Sequence, residues 1–104
     1  MKSLSDIQLE QYAWSLYNFG RHEYVDPYMG MVEELGELSH ALLKGKQGIR
    51  GDNHDIDAKD AVGDLMIYLL DFCSTMGWNA QEIVNETWET VKQRDWKRDP
   101  VNGR

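Results

Sequence analysis

Apolar residues recur along this chain at intervals of three and four, the period of an α-helix, and no stretch reads convincingly as a strand. Four helices follow. The first is expected to start at Ser5, with Gln8 reaching back to complete a capping box, and to stop at Gly20. Leu9, Tyr12, Ala13, Leu16 and Tyr17 form its apolar stripe. The second starts at Asp26-Pro27, a cap followed by proline at the first helical position, and ends at Gly45. Its expected buried face is Met31, Leu35, Leu38 and Leu42.

Residues 45–54 hold three glycines and no apolar period, so they read as a loop. The third helix is expected from about Asp55 to Met76, closed by Gly77. Leu65, Met66, Ile67, Leu69, Leu70, Phe72 and Cys73 spread over more than half its circumference, which predicts burial on several sides. Asn79, with Glu82 three residues on, caps a fourth helix carrying Ile83, Val84, Trp88 and Val91. From Arg94 the chain turns polar and is expected to fray toward Pro100.

Four helices with short connections predict an all-α, antiparallel helical bundle. The 104 residues fit one domain, 1–104, and so short a chain buries only about two-thirds of its unfolded surface. With a third helix so broadly apolar, the bundle is expected to be completed by homo-oligomerisation, as a homodimer or a homotetramer.

Composition narrows the function. Eleven aromatic residues argue against disorder. A net charge of −7 disfavours nucleic acid, whose phosphates attract basic surfaces. The N-terminus has no apolar signal core and no run approaches a membrane span, so a soluble, cytoplasmic protein is expected. The single cysteine, Cys73, suits a reducing compartment, and its apolar surroundings should raise its thiol pKa, against a nucleophilic role.

The charge is concentrated where the chemistry is most telling. Glu33, Glu34 and Glu37 follow one another on the second helix; Asp57, Asp60, Asp64 and Asp71 form one stripe on the third. Carboxylates three and four residues apart share a helix face and repel, by a few tenths of a kcal/mol per pair. At about 100° per residue, Glu34 and Glu37 look along an inter-helix groove, while Glu33 and Asp71 are expected to face water. Gly63 beside Asp64 would let the helices approach closely. Hard oxygen ligands of this kind select magnesium, manganese or calcium. A calcium loop starting at Asp52 or Asp55 lacks the required sixth-position Gly and twelfth-position Glu.

Glu34-Leu-Gly-Glu37, followed by Ala61-Val-Gly-Asp64-Leu-Met-Ile-Tyr-Leu-Leu70, resembles the paired motif of the MazG-like, all-α nucleotide pyrophosphohydrolases. That pattern is Glu-x-x-Glu on one helix and Glu-x-x-Asp on the next. The resemblance covers the two central helices and extends toward Arg94-Asp-Trp96. It implies an all-α NTP pyrophosphatase fold that cleaves a nucleoside triphosphate to the monophosphate and pyrophosphate. It implies Mg2+, with Mn2+ able to substitute, held by Glu34, Glu37 and Asp64. The family's first glutamate of the second motif falls on Ala61, which offers no oxygen. Asp60 or Asp57 would substitute, and Asp60, one turn from Asp64, is the better placed. Glu37 is the candidate general base.

Lys44, Lys46 and Arg50 flank or occupy the glycine-rich loop, which lacks the ending of a P-loop. Lys92 and Arg94, after the last long helix, are candidates for the triphosphate, with Lys44 beside them. Trp14 lies off its helix's main stripe and is the candidate for stacking on a base. His22 and His54 read as surface loop residues. Glu37-Leu-Ser-His40 has the Glu-x-x-His spacing of di-iron bundles, but those sites carry two such pairs and this chain has one. The rival to an enzyme is a nucleotide-binding or interaction module in which Ala61 marks lost catalysis.

Overall fold

The computed structural model describes residues 1–51 and 53–104. Asp52, in the loop expected over 45–54 and one trial start for a calcium loop, lies outside them. The described residues form four helices and no strand: α1 (Leu4–Phe19), α2 (Val25–Gln47), α3 (His54–Thr75) and α4 (Ala80–Val91). The longest two pack antiparallel along their lengths, α1 lies against α3, and α4 lies on α1.

Local chemistry sets the ends. Asn79 caps α4 as its position predicts, accepting from the Glu82 N–H at 3.0 Å. On α1 the cap is Ser3, not Ser5: Ser3 Oγ accepts from the Asp6 N–H at 3.1 Å. Ser5 is free of that duty because its own N–H donates to Gln81 Oε1 at 2.9 Å. The start of α2 also differs from expectation, since it begins at Val25 without a side-chain cap. That helix runs past Gly45 to Gln47, because Gly48 is the glycine in the left-handed conformation, at φ 67°. Gly45 stays helical and brings α2 close to His54. The segment after Arg94 is tied rather than frayed. The Asp95 N–H donates to the Gly103 carbonyl at 2.9 Å and the Gly103 N–H to the Asp99 carbonyl at 2.8 Å.

Two close approaches bracket the α2–α3 hairpin. At one end the Tyr68 ring occupies the space a Cβ on Gly30 would need. At the other, a Cβ on Gly45 would sit 3.4 Å from His54 Cβ. Gly63, expected to permit the approach, faces open space.

The apolar stripes are real, but most face outward. On α1 the buried residues are Gln8, Gln11 and Ser15, whereas Leu9 is 74% and Tyr17 89% exposed. On α2 the buried face is Pro27, Glu34 and Ala41, with Leu35 and Leu42 open. Met66, Ile67 and Leu69 on α3 are exposed as well, so that helix is not buried on several sides within one chain. Its buried contribution is Ala61, Leu70, Asp71 and Cys73. Trp88 of α4 is also open.

The cause is that α2 and α3 pair through small and polar residues, which leaves their leucines on the outer flanks. The radius of gyration is 17.1 Å, against about 13 Å for a compact chain of this length. Accessible area is 8095 Å², against about 6,000 Å² for a monomer of this mass.

Candidate functional site

Between the two glycine contacts, α2 and α3 face each other across a cleft of about 600 Å³. Its walls carry Glu33, Glu34, Glu37 and His40 from α2, and Asp57, Asp60 and Asp64 from α3. Ala41 and Ala61, each 3% exposed, form its buried apolar lining. Helical spacing explains the gathering: Glu34, Glu37 and Ala41 recur three and four residues apart, as do Asp57, Asp60, Ala61 and Asp64. The four carboxylates expected to act together, Glu34, Glu37, Asp60 and Asp64, therefore line one cleft. Asp57 joins them. So does Glu33, which is exposed but borders the cleft instead of pointing away from it.

Charge is crowded here. Glu34 is only 9% exposed. Burial, then the carboxylates of Asp64, Glu37 and Glu33, holds its carboxyl above the ordinary glutamate range. The same field reaches Tyr68, whose phenol is pushed up by burial first and then by Glu33 and Glu34. All the acidic donors are hard oxygens, suited to a divalent cation of the magnesium type. Among the described residues, no three His, Cys, Asp or Glu side chains are gathered closely enough to hold an ion as they stand. Chelation would therefore require rotation of carboxylate torsions.

The candidate cationic residues lie elsewhere. Lys44, Lys92 and Arg94 are not part of the cleft walls. Lys44 donates to Gln47 at 3.3 Å, and Lys92 pairs with Glu89 at 2.9 Å. Trp14 lines a second recess, of about 260 Å³, with Gln11, Ser15 and Phe19 of α1 and Tyr68 of α3. Glu34 and Asp64 line this recess too, so it adjoins the acidic cleft through a shared wall.

Sequence reasoning placed Asp71 and His22 in water, and the structure places both in a buried knot. Asp71 is 6% exposed and accepts from Ser15 Oγ at 3.0 Å. His22 Nε2 lies 2.9 Å from Asp71 Oδ1, and its Nδ1 lies 2.8 Å from the Gly20 carbonyl. With an acceptor at each ring nitrogen, the imidazolium is favoured, and the His22 pKa is raised by the Gly20 carbonyl first and Asp71 next. The arrangement is a tie between the α1–α2 turn and α3, not a nucleophilic triad, because Ser15 is already donating to the carboxylate. Both Ser15 and Asp71 border the Trp14 recess.

His54 belongs to a helix rather than to the loop. It opens α3, half-buried, with Nε2 3.0 Å from the Ile49 carbonyl. A polar residue at helical spacing beside apolar ones was the available signal for Ser15. Nothing local marked His22, 49 residues from its partner.

Cys73 is buried, and burial raises its thiol pKa, as its apolar neighbours predict. No helix is long and apolar enough to cross a membrane among the described residues. Compared with known protein families, curated proteins and solved structures, the chain matches none.

Proposed function

We propose that this chain is a Mg2+-dependent nucleotide pyrophosphohydrolase of the MazG-like kind, converting a nucleoside triphosphate and water to the monophosphate and pyrophosphate. The observation that carries the reading is one cleft lined by Glu34, Glu37, Asp60 and Asp64 from two adjacent helices. Burying Glu34 among like charges is costly without a cation, so the cleft has the electrostatics of a site that awaits one.

Glu34, Glu37, Asp64 and Asp60 would hold magnesium, with Mn2+ able to replace it. When bound, the metal supplies positive charge against the phosphate oxygens and polarises the bond at the α-phosphorus. Glu37 orients the attacking water and takes its proton. The oxygen–α-phosphorus bond forms as the bond to the departing pyrophosphate breaks. Ala61, buried without an oxygen, leaves Asp60 or Asp57 to complete the donor set.

The working unit in this reading is a homo-oligomer, dimer or tetramer, in the cytoplasm. About 2,000 Å² of surface beyond a monomer's norm exceeds the roughly 800 Å² per partner of a standard interface. Leu9, Leu42 and Trp88 are the side chains a second copy would cover. Lys92 and Arg94, outside the cleft of their own chain, would then meet the triphosphate from a neighbouring copy.

Buried Ala61 also favours a second reading, a module that binds nucleotide without cleaving it. Assaying pyrophosphate from a panel of triphosphates with Mg2+ separates the two. Turnover that falls at least a hundredfold in Glu37→Ala and Asp64→Ala supports the enzyme. Binding without turnover in the wild type overturns it.

A further inference from the structure

His22 is held between two acceptors, and only one protonation state of its ring satisfies both. Nε2 lies 2.9 Å from Asp71 Oδ1, and Nδ1 lies 2.8 Å from the Gly20 carbonyl. The imidazolium carries an N–H at each nitrogen, whereas the neutral ring carries one. Loss of a proton therefore turns a lone pair toward an acceptor at one of these two contacts. Ser15 offers no relief. Its Oγ is 3.4 Å from Nε2, but its single proton already goes to Asp71 Oδ2 at 3.0 Å. The His22 and Asp71 side chains are 9% and 8% exposed, so little water reaches them to make up the loss.

The two acceptors differ in their freedom to leave. Asp71 belongs to the backbone of α3, and its charged oxygens hold the remaining proton more strongly than a carbonyl does. Gly20 stands just past α1, at φ 75°, with open space where a side chain would be. Its peptide can turn the carbonyl out to water. The next helix starts at Val25 without a side-chain cap, and the first fully buried anchor is Pro27. The movable stretch is thus residues 20–26. Through Arg21, His22 and Asp26 it walls a cavity of about 420 Å³, opposite Phe19, Tyr68 and Asp71.

Every neighbouring element presents its groups to this ring. Asp71 comes from α3, Asp26 from α2 and the exposed Arg21 from the turn itself. The α1 helix contributes neutral Ser15 and the edge of the Tyr12 ring, 6.0 Å between centroids. Tyr68 of α3 stays a neutral phenol, since burial and nearby carboxylates push its pKa up. The Gly20 carbonyl and then Asp71 raise the His22 pKa above 6.5, which sets the change on the neutral-to-alkaline side.

We propose that this turn is a proton-operated lid: with His22 protonated, Gly20 is latched to Asp71, and with His22 neutral the Gly20 carbonyl lets go and residues 20–26 open the cavity beneath. The lid operates whether or not the acidic cleft hydrolyses nucleotides. Its movement would still be felt toward that cleft, because Phe19 and Tyr68 also line the recess that adjoins it.

Hydrogen exchange of the full chain between pH 6 and 9, corrected for the intrinsic rate, reads the lid directly. Protection over residues 20–26 should fall about tenfold or more, the worth of one hydrogen bond, while residues 70–73 keep theirs. NMR titration of the His22 ring should give the same midpoint. Asp71→Asn keeps the shape and an acceptor but removes the charge, and should lower that midpoint by about one pH unit or more. Asp26→Asn, which alters no hydrogen bond to the ring, should lower it by less. Protection over 20–26 that is indifferent to pH overturns the lid, as does a midpoint unmoved by both substitutions. Equal loss at residues 70–73 overturns it too, because the whole chain would then be unfolding.

Discussion

Removing the carboxylate of Asp71 should loosen the molecule far more than its place on an acidic helix stripe suggests. In Asp71→Ala the Ser15 hydroxyl and the His22 imidazolium both lose their acceptor, at contacts of 3.0 and 2.9 Å, inside a site less than a tenth exposed. Breaking a buried charged pair by deleting one partner costs about 3–5 kcal/mol. At about 4–8 °C per kcal/mol for a chain of this length, even the lower figure lowers Tm by at least about 12 °C. The loss should depend on pH with a definite sign. His22 has its folded pKa raised above 6.5. Its contribution is therefore complete below that value and is lost as pH rises through the raised one. Differential scanning calorimetry of wild type and variant between pH 6 and 9 should show the gap in Tm narrowing as pH rises. A Tm loss under about 4 °C at pH 6, or a gap indifferent to pH, refutes the buried tie.

Glu34→Gln should raise the urea midpoint in EDTA at neutral pH, because an enclosed carboxylate among like charges is neutralised. The wild type should gain more stability than the variant as pH falls from neutral through the raised Glu34 pKa toward its ordinary 4.5, and identical pH profiles would contradict this. Gly30→Ala forces a methyl group into the Tyr68 ring and should cost about 1–3 kcal/mol by urea denaturation; a neutral substitution would mean the ring moves freely. If the chain forms the proposed homo-oligomer, Leu42→Glu should shift it toward monomer in sedimentation or light scattering, and an unchanged mass would remove Leu42 from the proposed contact.

Helix spacing made the acidic cleft legible. Glu34 and Glu37 share one face of α2, and Asp60 and Asp64 one face of α3, because of their three- and four-residue steps, and the two faces border one groove where α2 and α3 pair. The Asn79 cap was legible for the same local reason. Periodicity, however, states which residues share a face and not which face meets the rest of the chain. The Leu9–Tyr17 stripe was visible, but its outward direction was not, because Gln8 and Ser15 pack inward through hydrogen bonds to distant residues and Gln11 is enclosed on the same face. Ser5 illustrates the point: its sequence context predicts a cap, and a side chain 76 residues away supplies its N–H with an acceptor. Gly45 and Gly48 look alike as stop signals, and only the backbone angle of Gly48 distinguishes them.

The Gly30–Tyr68 and Gly45–His54 contacts lie 15 positions apart on α2, about 22 Å along the helix axis, with all the cleft's carboxylates between them. Close packing at Gly30 and near Gly45 sets how far apart α2 and α3 stand along the cleft. For the proposed metal, the longer glutamates of α2 would have more reach than the aspartates opposite. Spacing between the helices is thus a backbone property, and reach across the cleft a side-chain one.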